Sequence, residues 1–280
     1  MLLLGADGML GRAVAGELRG RGWGFAAPSR REFDLANART LERATTWREP
    51  EPPGLVINCA AWTDVDGAET REAEATAVNG GGVASLAGLC FSWEALLVTY
   101  STDYVFDGQG SEPYQVDVPR APLNAYGRSK AVGEEAVEAS HADWLNIRTS
   151  WLYAPWGKNF VLTIRKLLFE KPSIKVVDDQ RGRPTSAQHL ARTTMSLIDR
   201  RMKGHWHVTD GGDCTWFEFA REIGRLAGAP GRVEPCTSAE FPRPAKRPAY
   251  SVLDISETER AIGEVPDWRA NLADVVARLE

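Results

Sequence analysis

Little in this chain points to the commoner special chemistries. Its 280 residues hold only four cysteines, Cys59, Cys90, Cys214 and Cys236, with no C-x-x-C pair. Cysteines so scattered build neither a zinc site nor a disulfide framework, so reduced thiols in a cytoplasmic protein are the expectation. No apolar run reaches the roughly 18 residues of a membrane span. The opening Met1-Leu2-Leu3-Leu4-Gly5 lacks a basic flank and a cleavage site, which argues against a signal peptide. The net charge of −5 lacks the basic excess of a nucleic-acid binder, yet leaves room for a local basic pocket around an anionic ligand. No metal is expected either. His205 and His207 alternate on one predicted strand, but no third ligand accompanies them. Internal repeats and low-complexity segments are also missing.

What remains is an ordinary globular composition, 43% hydrophobic and 25% charged, able to bury a sizeable core. Leu2 to Leu4 read as a short strand ending in a glycine-rich turn, and Leu10, Val14 and Leu18 then mark a helix. Phe25 to Ala27 read as a second strand and Leu41 to Trp47 as a helix. Leu55 to Ala60 and Leu96 to Ser101 are continuous apolar runs, the signature of strands buried on both faces. Ala68 to Cys90 and Tyr126 to Ala139 read as helices, and Trp144 to Leu152 as a further strand. Strands alternating with helices predict an α/β protein with a doubly wound parallel sheet, whose ligands bind along the carboxyl rim. Beyond Leu152 the rhythm is less regular. Helices are expected over Phe160 to Phe169, Ala187 to Arg200 and Phe217 to Leu226. Strands are expected over Ile174 to Val177 and His205 to Thr209, and Pro230 to Pro248 reads as a proline-rich stretch. The expected division is a nucleotide-binding domain over 1–150 and a smaller mixed α/β substrate-binding domain over 151–280, parts of which return to the first.

Four stretches carry chemistry. Gly5-x-x-Gly8-x-x-Gly11 lies between the first strand and the first helix, where glycines let the backbone approach a pyrophosphate at the helix N-terminus. Ser29-Arg30-Arg31 follows the second strand, where an acid would have bound the ribose hydroxyls of NAD. An arginine there accommodates a 2′-phosphate, which favours NADPH over NADH. Tyr126-x-x-x-Lys130 places a phenol and an ammonium on one helix face. The ammonium would draw the phenol's pKa down, and the phenol would protonate an alkoxide as hydride arrives. Ser101-Thr102, closing a buried strand, sets a hydroxyl on the same rim to orient a carbonyl. Glu134-Glu135 reads as solvated, and His141 and His189 have no argued role.

The combination resembles the extended short-chain dehydrogenase/reductases, and within them the dTDP-4-dehydrorhamnose reductase family. The resemblance rests on Asn58-Cys59-Ala60-Ala61-Trp62-Thr63-Asp64, Ser101-Thr102-Asp103-Tyr104-Val105-Phe106, Asn124-Ala125-Tyr126-Gly127-Arg128-Ser129-Lys130, Asp179-Gln180-Arg181-Gly182-Arg183-Pro184-Thr185 and Arg247-Pro248-Ala249-Tyr250-Ser251. It implies a Rossmann-type sheet and reduction of the C4 keto group of dTDP-4-dehydro-L-rhamnose, or of another dTDP-4-keto-6-deoxysugar. By position it makes Thr102, Tyr126 and Lys130 catalytic. It places Gly5, Asp7, Gly8, Met9, Leu10, Gly11, Ser29, Arg30, Asp34, Leu35, Ala60, Ala61, Trp62, Tyr126 and Lys130 around the cofactor. It places Thr102, Asp103, Tyr104, Val105 and Trp151 around the sugar, and it leaves a homodimer open. The chain departs from the family pattern at Met9, where Gln is usual, at Trp62 and Gly67, and at Gly80-Gly81-Gly82, which are expected to loosen a helix beside the cofactor. The rival reading is a non-catalytic regulatory subunit that keeps the fold and binds NADP.

Overall fold

The computed structural model describes residues 1–37, 39–40, 52–228 and 232–279. The helix expected over Leu41 to Trp47 lies outside them. Strand β1 (Leu2–Leu4) is buried along its whole length and runs into helix α1 (Met9–Gly20). Leu10, Val14 and Leu18, four apart, face the core as the periodicity predicts. Next come β2 (Leu55–Asn58), α2 (Val65–Thr70) and α3 (Glu72–Thr76). A π turn over Ala77–Gly81 leads directly into α4 (Gly82–Ser92). Gly80 and Gly81 lie where the helix widens into that π turn, and Gly82 lies against the Leu35 backbone, where a Cβ would collide at 2.6 Å. Strand β3 (Leu96–Thr102), helix α5 (Ala125–Glu138) and strand β4 (Asp143–Thr149) complete the first half.

The second half holds β5 (Leu152–Tyr153), α6 (Phe160–Glu170), β6 (Ile174–Val177), β7 (Arg181–Gly182) and β8 (Thr185–Ser186). Then follow α7 (Ala187–Asp199), β9 (Gly204–His207), β10 (Cys214–Thr215), α8 (Trp216–Leu226), β11 (Val233–Cys236), α9 (Ser256–Ile262) and α10 (Trp268–Ala277). The main sheet is parallel throughout, in the order β1-β2-β3-β4-β9. It is Rossmann-type, with α1 and α7 packed together over one face. Beside β1 on its other flank the expected second strand shrinks to one bridge, Ala26 to Leu2. Strand order thus reverses at β1, and the crevice at its carboxyl end is where such sheets take ligands.

The strand expected from Trp144 to Leu152 is broken. Trp151 takes φ +44°, a left-handed conformation that turns the chain out of the sheet and into β5. Three short sheets, β5 with β8, β6 with β11 and β7 with β10, then make the smaller lobe. The stretch expected to be merely proline-rich contributes β11 and a 3₁₀ turn over Ser238–Glu240. The lobe's core gathers Tyr153, Ile164, Phe219, Ile223, Trp268 and Leu272. No helix among the described residues is long and apolar enough to cross a membrane.

Candidate active site

At the carboxyl end of β1 the backbone does the work. Gly5 has φ +70°, and a Cβ there would stand 2.7 Å from the Ala60 nitrogen. A Cβ on Gly11 would overlap the Gly5 carbonyl. Only glycine lets the turn close this tightly against the end of β2. The turn is sealed by the Gly8 amide donating to Gly5 O at 3.0 Å. Gly8 caps α1 without a side-chain hydrogen bond, so the first amides of the helix point to the rim unsatisfied by any side chain. That is a cradle for a pyrophosphate. Beside it lies a cavity of about 420 Å³ lined by Ala6, Asp7, Arg12, Arg19, Pro28 and Trp156, among others. Met9 serves the scaffold: the Trp156 indole donates to its carbonyl at 3.1 Å.

The polar residues expected around the adenosine are already engaged. Both the amide and the hydroxyl of Ser29 donate to Glu32 at 2.8 Å, and Arg30 pairs with Asp34 at 3.2 Å while staying largely exposed. Glu32, a few residues past the second strand, is thus held by Ser29. Leu35 is buried in the core, beneath α4.

Ala60, Ala61 and Trp62 follow β2. The Ala60 amide donates to Asn58 Oδ1. Buried Asn79, in the π turn, accepts from the Trp62 amide at 2.9 Å, then donates to the Trp62 carbonyl and to Ser129 Oγ. This ties the loop beside the cradle to α5. Nothing in the sequence signalled Asn79, since an asparagine inside a helical run carries no pattern.

Thr102 ends β3, and Tyr126 and Lys130 lie in the first two turns of α5. The helix start is held from two sides. Asn124 caps it by accepting from the Gly127 amide at 2.8 Å, and Glu69 Oε1 accepts from the Ala125 amide at 2.9 Å. The Asn124 cap was readable, as an asparagine preceding a helical pattern. Lys130 is buried and donates to the Tyr100 carbonyl at 3.0 Å. Burial brings its ammonium down to about 8, with Glu134 opposing. Burial pushes the Tyr126 phenol up, the Asp103 carboxylate adds to this, and the Thr102 hydroxyl offsets part of it. The lowering expected from Lys130 is not among the causes; the phenol stays protonated and so remains a proton donor. Asp103 is buried too, accepts from Thr102 Oγ1 at 2.9 Å, and is raised to about 6 by burial. The Tyr104 ring meets Tyr126 edge-on at 6.0 Å. Val105 is fully buried in a cluster with Phe106 and Tyr114, and its carbonyl is taken by the Ala121 amide, so its side chain does not line the open rim.

Trp151 stacks on Trp216 with ring centres 3.6 Å apart, and the Gly182 backbone presses its edge. One indole face is thus committed to the smaller lobe. Glu134, expected to be solvated, is buried instead. It holds Arg148 in a two-pronged pair at 2.9 and 2.7 Å, which takes it down to about 2. His205 does meet two acids, Glu134 and Glu138, but Arg120 and Arg148 already neutralise them. His207 packs edge-on against Phe106 and accepts no such company.

Comparison with known proteins agrees with this geometry. The family model described as RmlD substrate binding domain matches residues 1–280. A dTDP-4-dehydrorhamnose reductase of Streptomyces griseus is 41% identical, over 98% of this chain and 91% of its own length. A dTDP-4-keto-6-deoxy-D-glucose reductase of Streptomyces niveus is also 41% identical, over 90% of this chain and 87% of its own. The crystal structure of dTDP-4-dehydrorhamnose reductase from Bacillus anthracis in complex with NADP superposes with a TM-score of 0.93 at 34% identity, covering 99% of this chain and 98% of that one. With a backbone cradle, a Thr-Tyr-Lys rim and full-length kinship together, the chain belongs to the dTDP-4-dehydrorhamnose reductase family of oxidoreductases.

Proposed function

We propose that the protein reduces the C4 keto group of dTDP-4-dehydro-L-rhamnose with NADPH, giving dTDP-L-rhamnose. The observation that carries this reading is the meeting on one rim of a side-chain-free pyrophosphate cradle with Thr102, Tyr126 and Lys130. The cradle fits a dinucleotide because glycine at 5 and 11 lets the turn close against the end of β2, and Gly8 caps α1 without a side-chain hydrogen bond to its first amides. Gly5, Asp7, Gly8, Met9, Leu10 and Gly11 would hold the pyrophosphate. Ser29, Arg30, Asp34 and Leu35 would meet the adenosine, and Ala60, Ala61 and Trp62 the central part of the cofactor. When bound, NADPH supplies the hydride. Tyr126 gives its phenolic proton to the forming alkoxide, and its raised pKa keeps that proton in place until it is needed. Thr102 orients the carbonyl oxygen. Lys130, fixed on the Tyr100 carbonyl, would hold the nicotinamide ribose. Tyr104 and the free edge of Trp151 would contact the sugar, and Asp103 would act on it through Thr102. With all four cysteines unpaired, the reading places the enzyme in the cytoplasm.

Two relatives of equal identity are named for different 4-keto sugars, so the decisive assay is NADPH oxidation against a panel containing both. Tyr126→Phe should lower turnover at least about 10²-fold while direct titration shows NADPH binding nearly intact. Near-normal turnover would remove Tyr126 as the donor. Tight NADPH binding without turnover of any sugar would favour the non-catalytic subunit.

A further inference from the structure

A hydroxyl has one proton to give. Thr102 spends its own on the Asp103 carboxylate at 2.9 Å, while its oxygen accepts from the Tyr104 amide. In that arrangement Thr102 has nothing left to donate to a substrate carbonyl. Asp103 is itself an odd residue to bury. It is 3% exposed, no arginine or lysine among the described residues pairs with it, and its Oδ2 makes no hydrogen bond of normal geometry there. The Ser251 hydroxyl lies close enough to offset only part of the burial. An ionised carboxylate so placed is costly, and a carboxylic acid is not.

We propose that Asp103 is a positioning residue that switches Thr102 between acceptor and donor. As a neutral acid, Asp103 donates its own hydrogen to Thr102 Oγ1, and the Thr102 hydrogen is released to point at the carbonyl oxygen. As a carboxylate, having lost its own proton to solvent, it accepts the Thr102 hydrogen bond again. The two states differ by that one proton, exchanged between Asp103 and water, so the balance closes without another reactant and the switch follows pH. Asp103 therefore decides whether one or two hydrogens, from Tyr126 alone or from Tyr126 and Thr102, meet the oxygen that gains charge.

The surroundings permit both states. The ionisable groups about the pair are Tyr104 on the same turn and Tyr126 on α5, whose phenol the Thr102 hydroxyl also meets. Beyond Tyr104 stand Asp66 of α2 and Arg247 of the C-terminal segment, which neutralise each other at 2.7 Å. With Asp103 held at about 6, neither form is remote near neutrality.

The proposal rests on the reductase reading and is tested on the intact enzyme with NADPH and the best keto-sugar of the panel. Wild-type kcat/KM should fall about tenfold between pH 6 and 7.5. Asp103→Asn, whose amide donates to Thr102 permanently, should hold kcat/KM within about twofold across the same range. Asp103→Ala, which orients nothing, should be poor at every pH. A flat wild-type profile overturns the proposal without any variant. Parallel wild-type and Asn profiles, or an Asn variant as poor as Ala with unchanged thermal unfolding, overturn it too. Absence of turnover in wild type at every pH overturns the parent reading and this one with it.

Discussion

At the carboxyl end of β1 the chain makes its site by leaving side chains out; at the carboxyl end of β3 it makes one by burying them. The β1 end offers helix amides, two close-approach glycines and a ring of exposed or half-exposed polar groups. The β3 end packs Thr102, Asp103, Lys130, Glu134 and Arg148 under 10% exposure each. The first kind of site binds a ligand that brings its own charges and needs shape. The second sets the position and energy of single protons, which only a water-poor environment can do. The two ends should therefore fail differently: the first when atoms are added, the second when they are removed.

The largest effect is expected where a removed cation strands a buried anion. Arg148→Ala leaves buried Glu134 with Arg120 alone, at 3.2 Å, and should cost about 3 kcal/mol of stability, read by denaturant unfolding at pH 7. Glu134 has a depressed folded pKa of about 2, so its pairing stabilises above the unfolded carboxylate's value of about 4.3 and is lost as pH falls toward 2. The variant's deficit should shrink across that window, and a deficit unchanged down to pH 2 would mean lost packing rather than lost charge.

Asp103→Asn is the same end of the molecule with the opposite sign. A raised folded pKa favours the neutral acid, so the folded state is best served below about 3.8 and loses ground as pH rises through about 6. The variant should gain on the order of 2–3 kcal/mol over wild type at pH 8 and nothing at pH 3.5, read by thermal unfolding at both. A gain independent of pH would show that the carboxylate's charge is not what burial penalises.

Gly11→Ala tests the other end by addition. One methyl must displace the Gly5 carbonyl, and NADPH affinity should drop at least about tenfold, or ~1.4 kcal/mol, in a fluorescence titration. An unchanged affinity would mean that the cradle is not where the cofactor docks. The smallest effect is expected at Arg30, exposed and paired to Asp34. Arg30→Ala should move stability by less than about 0.5 kcal/mol. It should weaken NADPH roughly threefold more than NADH, because the arginine must leave one partner to meet another.

What the sequence made legible follows the same division. The buried parallel strands announced themselves, since Leu2–Leu4, Leu55–Asn58 and Leu96–Thr102 each open on a run of three apolar residues and are buried on both faces. The glycine spacing and Tyr126-x-x-x-Lys130 were equally plain, being local. The break at Trp151 was not, because a left-handed residue in a run of strand-forming side chains leaves no local trace. Glu134 was misplaced for a related reason: its burial depends on Arg148, fourteen positions away and on another element. Helix α10 was readable and passed over, with Trp268, Leu272, Val275 and Val276 on one face behind an Asp267 cap. Helix α9 was not, since of its seven residues only Thr258 is buried. Asp103 could be placed on the rim by kinship, but its want of a partner is a property of the packed interior.

The order of strands in the main sheet bears on how the chain can be cut. β9 pairs with β4 from Leu145 to Arg148, although more than fifty residues separate them. A chain ended at residue 150 would leave the backbone of β4 bare along that edge and the α7 side of α1 uncovered. Bare edges of this kind invite pairing with other chains. The first 150 residues made alone should therefore aggregate rather than fold. Fragments 1–150 and 151–280 produced together should restore each other, which would make the pair a ready split reporter for any two proteins fused to them.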